Sequence, residues 1–183
     1  GDANLEKFRG VKSVAIAVND KTRPVPHAHL LPPLLQKLEA LNITPENITF
    51  VIATGTHPPM PPEEYPLILP QEVIARYPII CHNSEDKANL LYLGETERKT
   101  PVWVNKHYMK ADLHLAVGNV EPHQFVGFSG GVKSVAIGVA GKQTINHNHS
   151  MMSHSHAQLG HYHDNPVRQD IEEIGRMIRV DFV

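Results

Sequence analysis

The sequence has a single cysteine, Cys81, so no disulfide can form within the chain, which suits a reducing compartment; the expected location is the cytoplasm. Long apolar runs are missing too. The longest, such as Val14 to Val18 and Phe50 to Ala53, have strand length, far short of the roughly 20 residues that span a bilayer. There is little excess of charge, with a formal net of -2, so nothing electrostatic favours nucleic acid or an anionic membrane as partner. No signal peptide is visible, nor any internal repeat, low-complexity tract or interdomain linker. The chain opens without Met and breaks off in the strand-like run Ile178 to Val183, so it is expected to be a piece of a longer protein.

What is present is a hydrophobic content of 41% and a charged content of 20%, as in globular proteins, over a length that suits one domain. The apolar β-branched run Val11 to Val18 reads as a buried strand, and Ile48 to Ala53, Ile79 to His82 and Leu113 to Val117 as further strands. Helical spacing of leucines predicts a helix over Leu30 to Leu41, with Pro32 and Pro33 near its start. Shorter or later helices are expected at Glu72 to Arg76 and from Pro166 to about Met177, and a hairpin at Leu90 to Val104 turning through Gly94 to Lys99. Strand and helix alternate, so the fold expected is α/β: an open, mostly parallel, Rossmann-like sheet flanked by helices. Such sheets bind ligands beyond the C-terminal ends of their strands. Polar clusters stand at those ends, at Asp20 to Arg23, Gly55 to His57 and Glu121 to His123.

Thirteen histidines invite a metal or proton-transfer hypothesis. His57 and His123 each close a loop after a strand, where an imidazole serves as general acid or base; the plain alternative is a loop histidine bonding a carbonyl. Gly127 to Ser134 is a glycine-rich loop that delivers Lys133 and Ser134 to a helix start, with Ser129, Gly130 and Gly131 free to approach an anion. It lacks the G-x-x-x-x-G-K-[ST] spacing, which argues against an ordinary nucleoside triphosphatase. Asp20 and Arg23 share one loop, either facing a ligand or forming an ion pair within a turn. His147 and His149 lie in a segment that reads as helix, where residues two apart diverge by about 200°, so at most one of them reaches a given site. No H-E-x-x-H and no cysteine pair support a zinc enzyme, and histidines 154 to 163 sit in a polar stretch expected to be solvated.

Five segments in order, Asp20 to Pro24, Ala53 to His57, Val120 to His123, Gly127 to Ser134 and Asn148 to Ser150, resemble the motif set of the nickel-pincer lactate racemase family. The resemblance runs from about residue 8 to about residue 178, and order and spacing both agree. It implies the N-terminal, cofactor-binding catalytic domain (residues 1–183) of a two-domain isomerase acting on a small-molecule 2-hydroxy acid. The cofactor implied is a nickel-pincer nucleotide derived from nicotinic acid mononucleotide, supplied by cofactor-synthesis proteins. By the same resemblance Lys133 carries it through a thioamide bond and His149 ligates nickel. His57 and His123 are the acid/base pair, the loop of Ser129, Gly130, Gly131 and Ser134 holds the phosphate, and Asp20 and Arg23 line the site. The sequence departs from the characterised members at Val132, where they carry arginine, and at Pro58, where they often do, so two cations near an anionic substrate are lost and lactate itself is not the expected substrate. Without the C-terminal domain the piece is expected to be inactive. Two rival readings are a non-catalytic binder of a mononucleotide or an acid through the glycine-rich loop, and a metal hydrolase using histidines 147 to 163.

Overall fold

The computed structural model describes residues 5–183. Four strands, β1 (Val14–Asn19), β2 (Ile48–Ala53), β3 (Ile79–Cys81) and β6 (Leu113–Val117), form one parallel sheet in the order β3-β2-β1-β6. The expected open parallel sheet is therefore present. The antiparallel hairpin of β4 (Leu90–Glu95) and β5 (Pro101–Asn105) forms a separate two-stranded sheet rather than an edge of the main one. A third, minimal pair joins β7 (Pro122–His123) to β8 (Gly127–Phe128).

Every residue of β1 is buried, and its two faces feed two cores. Val14, Ile16 and Val18 join Ile48, Phe50, Ile52, Leu113 and Leu115 beneath helix α1 (His27–Ala40), which contributes Leu31, Leu35 and Leu38. On the other face Ala15, Ala17, Val51 and Ala116 meet Val135 of the one-turn helix α4 (Lys133–Ala136), Ile145 of α5 (Lys142–Ser150) and the stripe Val167, Ile171, Ile174, Ile178 of α6 (Pro166–Ile178). Alanines on that face let the glycine-rich segment lie close to the sheet. At Gly138 a Cβ would come within 2.2 Å of the Ser134 carbonyl oxygen and 2.7 Å of Ala53 Cβ, so the close approach requires glycine there.

Several boundaries differ from expectation for identifiable reasons. The first strand begins at Val14, not Val11, because the amides of Lys12 and Ser13 bond the Asp112 carboxylate instead of a neighbouring strand. Helix α1 starts at His27, three residues early, since the buried His27 donates through Nδ1 to the Ile68 carbonyl at 2.7 Å and anchors the first turn. Pro32 and Pro33 consequently lie inside the helix, on its exposed side, where water can satisfy the carbonyls they leave unbonded. Short helices α2 (Gln71–Arg76) and α3 (Lys106–Met109) flank β3 and β5. Asn165 caps α6, and Arg179 in a left-handed conformation ends it. Ile178 thus closes a helix, and the strand-like tail pairs only through a parallel bridge from Phe182 to Leu115. Among the described residues no helix is long and apolar enough to cross a membrane.

From β1 the chain steps outward to β2 and β3, then returns to the other side of β1 as β6. The strand order reverses at the β1–β6 boundary, where open α/β sheets form their ligand crevice.

Candidate functional site

The crevice is a cavity of about 240 Å³, floored by the ends of β1, β2 and β6 and walled by the glycine-rich loop and α5. Every residue singled out from the sequence as a site candidate lines it except Gly131. Asn19, at the end of β1, donates to the Asn119 side chain at 3.0 Å, and this pair bridges the switch point.

On one side stands His57. Its Nδ1 lies 2.7 Å from Oδ2 of the buried Asp20. The other Asp20 oxygen accepts from the Thr22 amide at 3.0 Å and the Thr22 hydroxyl at 2.6 Å. A carboxylate so placed holds the proton of neutral His57 on Nδ1 and leaves the Nε2 lone pair as the base. Asp20 and Arg23 do not form the internal ion pair that their loop allowed. The Arg23 guanidinium reaches across to Glu121 at 2.5 Å.

His123 stands in a different environment. Burial, then the charges of Lys133 and Arg23, push its pKa down to about 4, so it is neutral at neutral pH. The Val126 amide approaches its Nδ1 at 3.4 Å, and Phe125 packs edge-on against its ring. At 3.4 Å the amide contact is too long to fix which nitrogen of neutral His123 carries the proton, unlike the 2.7 Å bond at His57. The same Phe125 ring packs edge-on against His149 at 5.1 Å, which sets the three rings side by side.

Lys133 opens α4 at the rear of the cavity. Burial first, then Arg23 and Arg168, lower its pKa to about 8. Such an amine is partly unprotonated and nucleophilic near neutral pH. Ahead of it Gly130 and Gly131 both have positive φ, +74° and +56°, and the amides of Gly130, Gly131 and Val132 make no hydrogen bond to other described residues. Two successive positive-φ residues make a tight turn that side chains other than glycine rarely adopt. Ser129 Oγ lies 3.2 Å from the Glu121 amide and carbonyl, fixing the loop onto β7's approach. Val132 packs closely against α6: a Cβ on Gly175 would lie 1.9 Å from Val132 Cγ2.

His149 projects from α5 into the cavity, while His147 turns away and meets Thr100 Oγ1 at 2.8 Å, so the helix divides the pair as its geometry requires. His149 Nδ1 lies 3.0 Å from the Asn148 side-chain oxygen, and burial followed by Lys133 lowers its pKa to about 4. Neutral, with Nδ1–H donated to Asn148, it presents Nε2 as a ligand atom. Histidines 154, 156, 161 and 163 are exposed on the surface loop. Among the described residues no group of three or more His, Cys, Asp or Glu side chains is arranged to hold a metal ion.

Sequence reasoning missed Asn19, Asn119, Phe125 and Asn148. The first two carried a usable signal, since each is a polar residue at the end of a buried strand. Asn148 stood in the Asn148 to Ser150 motif without a role and Phe125 carried no signal, because both act through contacts that only the fold assembles.

The open parallel α/β domain thus gathers glycine-loop amides, the Lys133 amine and three imidazoles at its switch-point crevice. Residues 1–160 match the lactate racemase N-terminal domain. The chain is 31% identical over 176 residues to the lactate racemase of Thermoanaerobacterium thermosaccharolyticum, covering 95% of this chain and 41% of that protein. It is 36% identical over 152 residues to the lactate racemase of Lactiplantibacillus plantarum, covering 82% and 35%. The solved lactate racemase apoprotein from T. thermosaccharolyticum superposes with a TM-score of 0.91 at 30% identity, over 96% of this chain and 42% of that one. A Thermotoga maritima protein superposes with a TM-score of 0.76 at 26% identity, over 95% and 45%. The chain belongs to the lactate racemase N-terminal domain family, and it spans less than half the length of these relatives.

Proposed function

We propose that this chain is the cofactor-binding catalytic domain of a racemase or epimerase of a 2-hydroxy acid, working with a nickel-pincer nucleotide. The observation that carries the reading is the convergence of Lys133, His149, His57 and His123 on one cavity beside the glycine-rich loop.

The residues present fit such a group. The glycine-loop amides, unbonded among the described residues, and Ser134 suit a phosphate, and the lowered pKa of Lys133 suits an amine that forms a thioamide. His149 offers one imidazole with its second nitrogen already engaged, as a borderline metal completed by sulfur and carbon donors requires. Bound there, the cofactor would take up a hydride from the carbinol carbon and return it to either face. The protein's part is positioning and proton transfer. His57, held by Asp20, takes the hydroxyl proton of one enantiomer; His123, kept neutral by burial, takes that of the other. Arg23, bridged to Glu121, and Asp20 line the space beside them. The proposal includes a C-terminal domain that completes the cleft, without which this domain is inactive. It also includes cofactor-synthesis proteins as partners and a cytoplasmic location, to which the lone thiol of Cys81 is suited.

The test is turnover by the full-length, cofactor-loaded protein of 2-hydroxy acids deuterated at the carbinol carbon. Hydride return keeps deuterium in the inverted product; washout into solvent would reject the mechanism and leave simple proton abstraction.

A further inference from the structure

Behind His149 lies a buried polar network that none of the assigned roles uses. Asp170 sits on the apolar stripe of α6, between Val167 and Ile171, and is fully buried. A carboxylate in that position is costly unless it is fully bonded. Here its Oδ1 accepts from Thr96 Oγ1 at 2.6 Å, and its Oδ2 accepts from Thr100 Oγ1 at 2.8 Å and from Asn148 Nδ2 at 2.8 Å. The second proton of Asn148 Nδ2 goes to the Val167 carbonyl at 3.1 Å. Both amide protons of Asn148 are thereby committed, and only its oxygen is left to face His149 Nδ1, 3.0 Å away.

The chain of constraint follows from donors and acceptors alone. Turning the Asn148 amide over would set its oxygen against the Asp170 carboxylate and the Val167 carbonyl, and its NH₂ against His149. The carboxylate therefore dictates the amide, and the amide dictates the tautomer of the ring. We infer that Asp170 is a positioning residue for His149: acting through Asn148, it holds the proton on Nδ1 and keeps the Nε2 lone pair turned to the cavity. Thr96 and Thr100 bring the hairpin into the same device, so α5, α6 and the β4–β5 hairpin are locked together behind one imidazole. Residues behind a ligating histidine change metal affinity by about 10–100-fold when altered. This inference rests on the reading of His149 as a ligand for its purpose, but not for its test.

The test uses the full-length protein labelled with ¹⁵N in histidine. Long-range ¹H–¹⁵N correlation of the cofactor-free protein reports which His149 nitrogen bears the proton. The wild type is expected to show protonated Nδ1 and bare Nε2. In Asp170→Asn the new NH₂ can bond the Asn148 oxygen and turn the amide over, so a large Nε2–H population is expected, with unchanged far-ultraviolet circular dichroism. Nickel retained after cofactor loading should fall about 10–100-fold in affinity. A His149 that stays wholly Nδ1-protonated in Asp170→Asn overturns the inference. If that variant does not fold, Asn148→Ala decides, because it leaves Asp170 with both threonines. Loss of the Nδ1–H preference there supports the relay, and its persistence overturns it. A wild type that never takes up nickel would refute the proposed function while the tautomer result still stands or falls by itself.

Discussion

The amine of Lys133 gives the sharpest quantitative expectation. An ordinary lysine titrates near 10.5, whereas burial and the cations of Arg23 and Arg168 bring this one to about 8. At pH 8 about half of the Lys133 amines are then neutral, against roughly 1 in 300 for an unperturbed lysine, from the difference of 10.5 − 8 = 2.5 units. Brief labelling of the cofactor-free protein with an acylating reagent, read by peptide mass spectrometry across pH 6 to 11, measures this directly. Lys133 modification should rise with a midpoint near 8, whereas an ordinary lysine rises only above about 10. The perturbing charges give the sign of a second arm. Arg23→Gln removes a cation and should move the midpoint up; Glu121→Gln removes the carboxylate that opposes it and should move it down. A wild-type midpoint at or above 10, or shifts of the opposite sign, would refute the claim that this site prepares a nucleophilic amine.

Further expectations concern the histidines and the loop. In Asp20→Asn the Thr22 donors keep the amide oxygen, which turns NH₂ toward His57 and favours the wrong tautomer, so turnover of the loaded full-length enzyme should fall by roughly 10²–10⁴. Unchanged nickel content would separate that loss from loss of cofactor, and unchanged turnover would contradict the dyad. His123 and His149 are each lowered from 6.5 to about 4, so between those values the unfolded chain binds more protons than the folded one. The contribution of these two histidines to the stability of the cofactor-free protein should therefore be full above pH 6.5 and fall away as pH drops toward 4. In thermal melts His123→Gln should show a shallower dependence, and a flat wild-type profile would contradict the burial argument. Gly130→Ala should disrupt the loop more than Gly131→Ala. Both residues have positive φ, but only at Gly130 would a Cβ strike backbone, 2.2 Å from the Asn119 oxygen, and the melting temperatures of the two variants compare them.

The sheet was legible because its central strands are apolar on both faces: Val14 to Val18 and Phe50 to Ile52 can be nothing but buried. The position of the crevice followed, since ligand residues in such folds gather after the strands. Strand order did not follow, because the return of β6 to the far side of β1 depends on packing between distant segments. The start of α1 was hidden for a similar reason, its first turn being held by the distant Ile68 carbonyl. Individual site residues were visible through motifs, while their partners were not. His57 could be named as a base, but Asp20 as its holder depends on two loops meeting. Asp170 did leave a mark: it is a carboxylate at a buried position of an amphipathic helix, three residues after Val167 and four before Ile174, where an aliphatic residue belongs. Read from sequence alone, that anomaly asks for a buried partner without saying which one.

The central claim is that this crevice holds a lysine-tethered nickel cofactor. Its most direct test is intact mass and metal analysis of the full-length protein, made anaerobically with the cofactor-synthesis proteins, beside Lys133→Ala. The account predicts added mass located on Lys133 with about one nickel per chain, both lost in the variant. An unmodified, nickel-free wild type would contradict it and leave the crevice as a binding site for a simple mononucleotide or acid.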